Sequence, residues 1–267
     1  MPSNPFIKSC FLITVILIIG IIIRLYALEK NELILEGDEA IVALMAKHIS
    51  ENKIIPAFVY GQDYMGSLEA YTVSIFFSFI DNSIKTLKSA PLAYSIISIL
   101  FLWLLLKNEF GIYIAAAVSL LCAAPPYLMI KWSLSPTGGH IENFLLSIII
   151  MIFIKKYFHE EKFLHLALAC FFCGLAFWVN PFSIFLTISF LIIYFHHKKN
   201  NPQKYIFSIF IFLFFFSAGA LPLIIYNINH NGITFLKLGC FFLGVSASTY
   251  NSGNNIFQLV FNKIISM

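Results

Sequence analysis

The feature that most limits what this chain can become is the recurrence of long apolar runs, such as FLITVILIIGIII (11–23) and IFSIFIFLFFF (206–216). Crossing the hydrocarbon core of a bilayer takes about 20 residues of helix, and runs of that order recur along most of the chain. Backbone facing lipid must satisfy its own hydrogen bonds, which leaves helices or closed barrels. A barrel needs period-two alternation of apolar and polar residues, and these runs have none. The chain is only 11% charged and 60% hydrophobic, whereas a soluble domain uses roughly a quarter charged residues to cover its surface. The sequence therefore predicts an all-α polytopic membrane protein with about seven transmembrane helices.

Lysines set the expected topology. Two loops are clearly basic, KKYFHEEK (Lys155, Lys156, Lys162) and HHKKNNPQK (Lys198, Lys199, Lys204), and the positive-inside bias assigns both to the cytoplasm. The apolar stretch between them turns outside at Asn180-Pro181. Counting backward, 140–153 runs inward, 110–130 outward from a cytoplasmic Lys107, and 90–106 inward. The first apolar run, 6–27, lacks a small-x-small cleavage site and reads as a retained span. The last span is 205–225, and 227–267 is an external tail, expected to open a missing C-terminal part.

Residues 67–80 decide the parity. SLEAYTVSIFFSFI is about two-thirds of a span, and Ser67, Tyr71, Ser74 and Ser78 share one helical face. It reads as a helix lying at the outer interface; a crossing there would put the amino terminus outside. The amino terminus is thus expected in the cytoplasm of a multi-pass inner-membrane protein. Residues 29–89 then form one long external loop with two interfacial helices. The other of these covers 38–52, with Ile41, Leu44, Met45, His48 and Ile49 on its apolar side and Asp38 placed to cap it.

The net charge of +4 is small and sits mainly in the lysine clusters, which excludes nucleic acid as an expected partner. Cys170 and Cys173 form a CxxC inside a predicted span without a second pair, and read as packing residues.

The densest polar segment is the external loop. There GDEA (37–40) opens a helix and YGQDYMGSLEAY (60–71) follows. This arrangement resembles glycosyltransferase family 39, the protein-mannosyltransferase-like group of the GT-C fold. SPTGGHIE (135–142) and GALPLIIYN (219–227) are similar to that group as well. The resemblance covers essentially the whole chain and implies one GT-C-like transmembrane module over 1–267. It also implies transfer of a sugar from a polyprenyl-phosphate carrier to an acceptor protein, lipid or glycan on the periplasmic face. An acidic residue of the first external loop does the catalysis, and Asp38 holds its position. Members of the group are usually longer, so the resemblance also implies a separately encoded or lost C-terminal half. The competing reading is a degenerate relative or a transporter-like carrier of lipid or sugar. A transporter places its polar groups at mid-membrane, whereas here they gather at one external surface.

Such a transfer needs a base for the acceptor hydroxyl, a stabiliser for the departing phosphate and exclusion of water. Asp38 is the candidate base, with helix capping as its bland alternative, and Glu39 supports it. For the phosphate the candidates are Arg24, Lys131, the Gly138–Gly139 turn and His140, because a helix start lined by glycine suits an anion. Arg24 reads equally well as snorkelling beside Tyr26, and Lys131 beside Trp132 as an interface anchor. Glu142 lies one turn into a span, where acids are costly and usually functional. Tyr60, Gln62, Asp63, Tyr64 and Glu69 are candidates for the sugar. The loop has no Asp-x-Asp pair, so neither a divalent metal nor another cofactor is expected.

Overall fold

The computed structural model describes residues 5–30, 35–197 and 202–243. Residues 198–201 of the second basic loop and the tail from 244 lie outside the described residues. Among those described, the chain is helical, with one isolated bridge between Phe58 and Gly66.

Helix α1 (Pro5–Lys30) is the first apolar run, unbroken because no proline follows its first turn and its single interior glycine costs only about 1 kcal/mol. After α2 (Gly37–Ser50) and a turn-rich segment come α3 (Leu68–Phe79) and α4 (Ile84–Ala123). Helix α4 is a hairpin of two arms. Gly111 takes φ 81° and ψ 169°, a conformation that only glycine adopts freely. A Cβ on Gly20 would lie 3.2 Å from Ile99 and 3.5 Å from Ala123. In a straight helix those two residues would be about 36 Å apart, so the second arm folds back on the first.

Pro125 and Pro126 stop that arm, and α5 (Tyr127–Trp132) leads to α6 (His140–Glu160). Then come α7 (Phe163–Val179), a 3-10 turn at Pro181–Ser183, α8 (Ile184–His197), α9 (Pro202–Gly219), α10 (Leu221–Asn229) and α11 (Ile233–Leu243). The turn at 180–181 falls where the sequence predicts it, and Asn180 Oδ1 closes it by accepting from the Phe182 N–H at 3.1 Å. Helices α7 and α9 touch backbone to backbone: a Cβ on Gly174 would sit 2.0 Å from the Phe216 carbonyl oxygen, and one on Gly219 equally close to that of Phe171. Small residues at a helix crossing are how spans pack where lipid is as apolar as leucine. Cys170 and Cys173 are buried in this core.

Helices α1 and α4 are each long and apolar enough to cross a membrane, and α9 with α10 passes as a pair bent by 74°. The sequence reads 205–225 as one straight span. The bend arises because Pro222, at the start of α10, offers no N–H and its ring excludes the carbonyl four residues back. Three other apolar helices, Leu68–Phe79, Phe163–Val179 and Pro181–His196, are shorter.

The helix ends sort into two groups. At one end Lys8 donates to the Tyr113 hydroxyl at 2.7 Å, and Lys155 pairs with Glu109 at 2.6 Å. At the other, Arg24 reaches Ala123, the Gly66 N–H donates to the Val179 carbonyl at 3.1 Å, and the Tyr226 hydroxyl donates to Asp63 at 2.6 Å. Lys8 and Arg24 are about 24 Å apart along α1.

Helix α3 packs against α2 and the start of α4. Its 12 residues rise about 18 Å, well under a hydrocarbon core of about 30 Å. It is packed more deeply than the sequence suggests. Val73 and Phe77 join Val42, Met45, Leu87 and Ala90 in one cluster. Two of the hydroxyls on its polar face are buried, Ser67 donating to the Pro56 carbonyl at 2.6 Å and Ser74 back to that of Tyr71 at 2.7 Å, while Ser78 is exposed. Helix α2 is rotated relative to expectation. Glu39, Val42, Met45 and Ala46 are buried while Leu44 is exposed, because an ion pair draws Glu39 into the protein.

Candidate functional site

At the Arg24 end the residues that the sequence singles out fall into three connected groups. The first surrounds the start of α2. Its N-cap is Glu36, so the capping role expected of Asp38 belongs two residues earlier. The Glu36 N–H donates to Glu39 Oε2 at 3.2 Å. Glu36 also pairs with Lys131 at 2.6 Å, which holds that lysine above its ordinary pKa and keeps it cationic. Glu39 is fully buried and takes both its oxygens to Lys88 Nζ, at 2.9 and 3.1 Å. Asp38 lies between them in the first turn, exposed and without a hydrogen-bond or ion-pair partner among the described residues.

The second group lines a cavity of ≈ 220 Å³ between α1, α4, α5 and α6. Arg24 and His140 both face it, and the Trp132 ring stacks on His140 with centroids 5.4 Å apart. Arg24 does not snorkel. It is 2% exposed and donates to the carbonyls of Gly20 at 3.1 Å, Ala123 at 3.0 Å and Cys122 at 3.2 Å. Two of these are carbonyls at the end of the second α4 arm, which no longer have helical partners. Its Nε has no partner.

The third group is the glycine turn. Gly138 and Gly139 take φ 106° and 84°, so the chain enters α6 through two left-handed residues that disfavour any side chain. The Gly138 N–H donates to Glu69 Oε2 at 3.1 Å. Glu142 is 1% exposed beside Glu69, and neither of its carboxylate oxygens has a donor. Burial first, and then the neighbouring Glu142 carboxyl, push Glu69 well above the usual carboxylate range. Two acceptor-only carboxylates cannot satisfy each other, so one shared proton is the stable arrangement.

The YGQDYMG segment bridges outward. Tyr60 shares a hydrogen bond with His48 Nδ1 at 3.0 Å. Gln62 is half-buried and Tyr64 exposed. Asp63 pairs with Lys237 and accepts from Tyr226; these bonds outweigh its burial and hold it below the ordinary aspartate pKa. The sequence reading assigned nothing to Lys88, Glu36 or Lys237. Lys88 carried the one available signal, a cation close to the apolar run that follows it. Among the described residues no three His, Cys, Asp or Glu side chains gather as a metal site.

An all-α protein with long apolar helices, its buried ions and exposed acid gathered at one end, is the class that fold and site define. Residues 67–222 match the family model described as dolichyl-phosphate-mannose-protein mannosyltransferase. That span is more than half of the chain, and the protein belongs to this family. It is a membrane glycosyltransferase in its coarse class. No curated protein and no solved structure matches it.

Proposed function

We propose that the protein transfers a sugar from a polyprenyl-phosphate carrier to a hydroxyl of a protein, lipid or glycan acceptor at the Arg24 end, with Asp38 as general base. The lysine bias supports placing that end on the periplasmic face of the inner membrane, with the amino terminus in the cytoplasm. Asp38 takes the acceptor proton, the acceptor oxygen bonds to the anomeric carbon, and the bond from that carbon to the phosphate oxygen breaks. The electron pair leaves with the polyprenyl phosphate. Arg24 and His140 line the cavity where that charge would develop, Lys131 stands next in the chain to the cavity-lining Trp132, and Tyr60, Gln62 and Tyr64 present faces suited to the sugar.

One observation carries the choice of base. Of the acids described between residues 35 and 81, Glu36, Glu39, Glu51 and Asp63 are ion-paired, Glu69 is bound to Gly138, and Asp81 accepts from Ser83 and Thr86. Asp38 alone keeps both oxygens free to accept a proton. The test supplies membranes with a radiolabelled polyprenyl-phosphate sugar. Asp38→Asn is expected to insert normally and to lose transfer by at least about 100-fold, the usual scale for a general base. Undiminished transfer in that variant rejects the assignment.

A further inference from the structure

At the opposite end of the bundle, a groove of ≈ 610 Å³ opens between the first arm of α4 and the last turns of α6. Its volume is in the range of small-molecule sites, and the proposed transfer reaction uses none of it. The walls differ sharply in chemistry. Leu104 and Phe153 line the part toward mid-bundle, while Lys107, Lys155, Lys156 and His159 line the part toward the helix ends.

The charge is not internally balanced. The two acids at the groove are taken: Glu109 pairs with Lys155, and Glu160 with Lys162. Lys107 and Lys156 have no carboxylate partner among the described residues, and Lys156 lies 6.0 Å over the Phe153 ring. Two spare ammonium groups therefore stand above an apolar floor at one end of the helices. The ends of two helices account for some positive charge here, but not for an apolar trough beneath it. A soluble anion satisfies the lysines and leaves that trough wet; a lipid fills both.

We propose that this groove holds an anionic phospholipid of the leaflet at the basic end. Its phosphodiester lies between Lys107 and Lys156, and the first methylenes of an acyl chain lie against Leu104 and Phe153. Basic pockets between spans on the cytoplasmic side recognise lipid headgroups by this combination.

The full chain, purified in a neutral detergent, is titrated with dioleoylphosphatidylglycerol, dioleoylphosphatidylcholine or inorganic phosphate, and binding is read by native mass spectrometry and thermal shift. Phosphatidylglycerol is expected to bind and raise the melting temperature, whereas phosphatidylcholine and inorganic phosphate do neither. Each lysine facing an anionic headgroup contributes about fivefold, so Lys107→Gln with Lys156→Gln should weaken binding roughly thirtyfold. The double arginine variant at the same positions should retain it, which separates lost charge from lost fold. Lys53→Gln with Lys85→Gln, an equal charge change away from the groove, should bind as wild type. Equal binding of the two lipids, a phosphate response as large as the lipid's, or unchanged affinity in the glutamine variant each overturns the proposal.

Discussion

Glu69 and Gly138 are 69 residues apart in the chain and meet in a buried hydrogen bond of 3.1 Å. This contact pins the first long loop to the start of α6 and sets Glu69 against Glu142. A carboxyl group placed there prefers to hold its proton, which makes the loop's anchorage sensitive to pH.

The sign follows from linkage. Glu69 is raised above its ordinary value of 4.5, so between that value and its folded one the native state binds the extra proton and stability falls as pH rises. The contribution is complete below 4.5 and fades as pH climbs toward the raised value. Glu69→Gln mimics the protonated form and should flatten this dependence. Melting temperatures of the two proteins in detergent, at pH 5 and pH 8.5, should converge at the lower pH, with the variant higher at the upper. Parallel curves would show that Glu69 does not titrate in this window.

Glu39 and Lys88 make a second prediction. The pair is buried, with side-chain exposures of 0% and 10%, and removing one member leaves the other desolvated and unpaired. Glu39→Ala or Lys88→Ala should each cost about 3–5 kcal/mol, whereas Glu39→Gln combined with Lys88→Met should recover much of it. Chemical or thermal unfolding of the three variants measures this. A loss in the double variant equal to the sum of the two single losses would mean that the two residues act independently.

Gly66 tests how the loop seats on α7. Its φ is ordinary, yet a Cβ there would come within 2.6 Å of the Trp178 carbonyl oxygen and 2.9 Å of Val179 Cα. Both are backbone atoms, which cannot swing aside. Gly66→Ala should therefore destabilise by about 1–3 kcal/mol, and protease cleavage within residues 53–66 should accelerate. An unchanged digestion pattern would contradict the close contact.

These contacts show where the sequence is legible. Apolar runs mark α1, α4 and α9 because lipid leaves helices little freedom in composition, and Asn180-Pro181 and Gly138-Gly139 mark turns through their own backbone preferences. The match at 67–222 agrees with the family resemblance and takes in SLEAY (67–71) and SPTGGHIE (135–142). Partners are another matter. Glu39 finds Lys88 across 49 residues, and Asp63 finds Lys237 across 174; no local pattern encodes such pairs. The buried face of α2 differs from the one its apolar pattern predicts for the same reason, since a buried acid looks like a surface acid until its lysine is known. For Arg24 the sequence leaves phosphate binding and snorkelling equally open, because an isolated helix offers it no carbonyls beyond its own and only the α4 hairpin brings those of Cys122 and Ala123.

That hairpin makes Arg24 the sharpest remaining test. Its guanidinium forks to the Ala123 and Cys122 carbonyls and back to Gly20, which ties α1 to the end of the second α4 arm. A lysine presents one ammonium and cannot reach the same set in a planar fork. Arg24→Ala leaves buried carbonyls orphaned, at about 1–3 kcal/mol for each such group. The expected order of melting temperature is wild type, then Arg24→Lys, then Arg24→Ala. A residue that merely snorkelled would tolerate lysine without loss. If lysine and arginine are equivalent in stability but not in sugar transfer, Arg24 serves the cavity rather than the helix end, and the fork is dispensable.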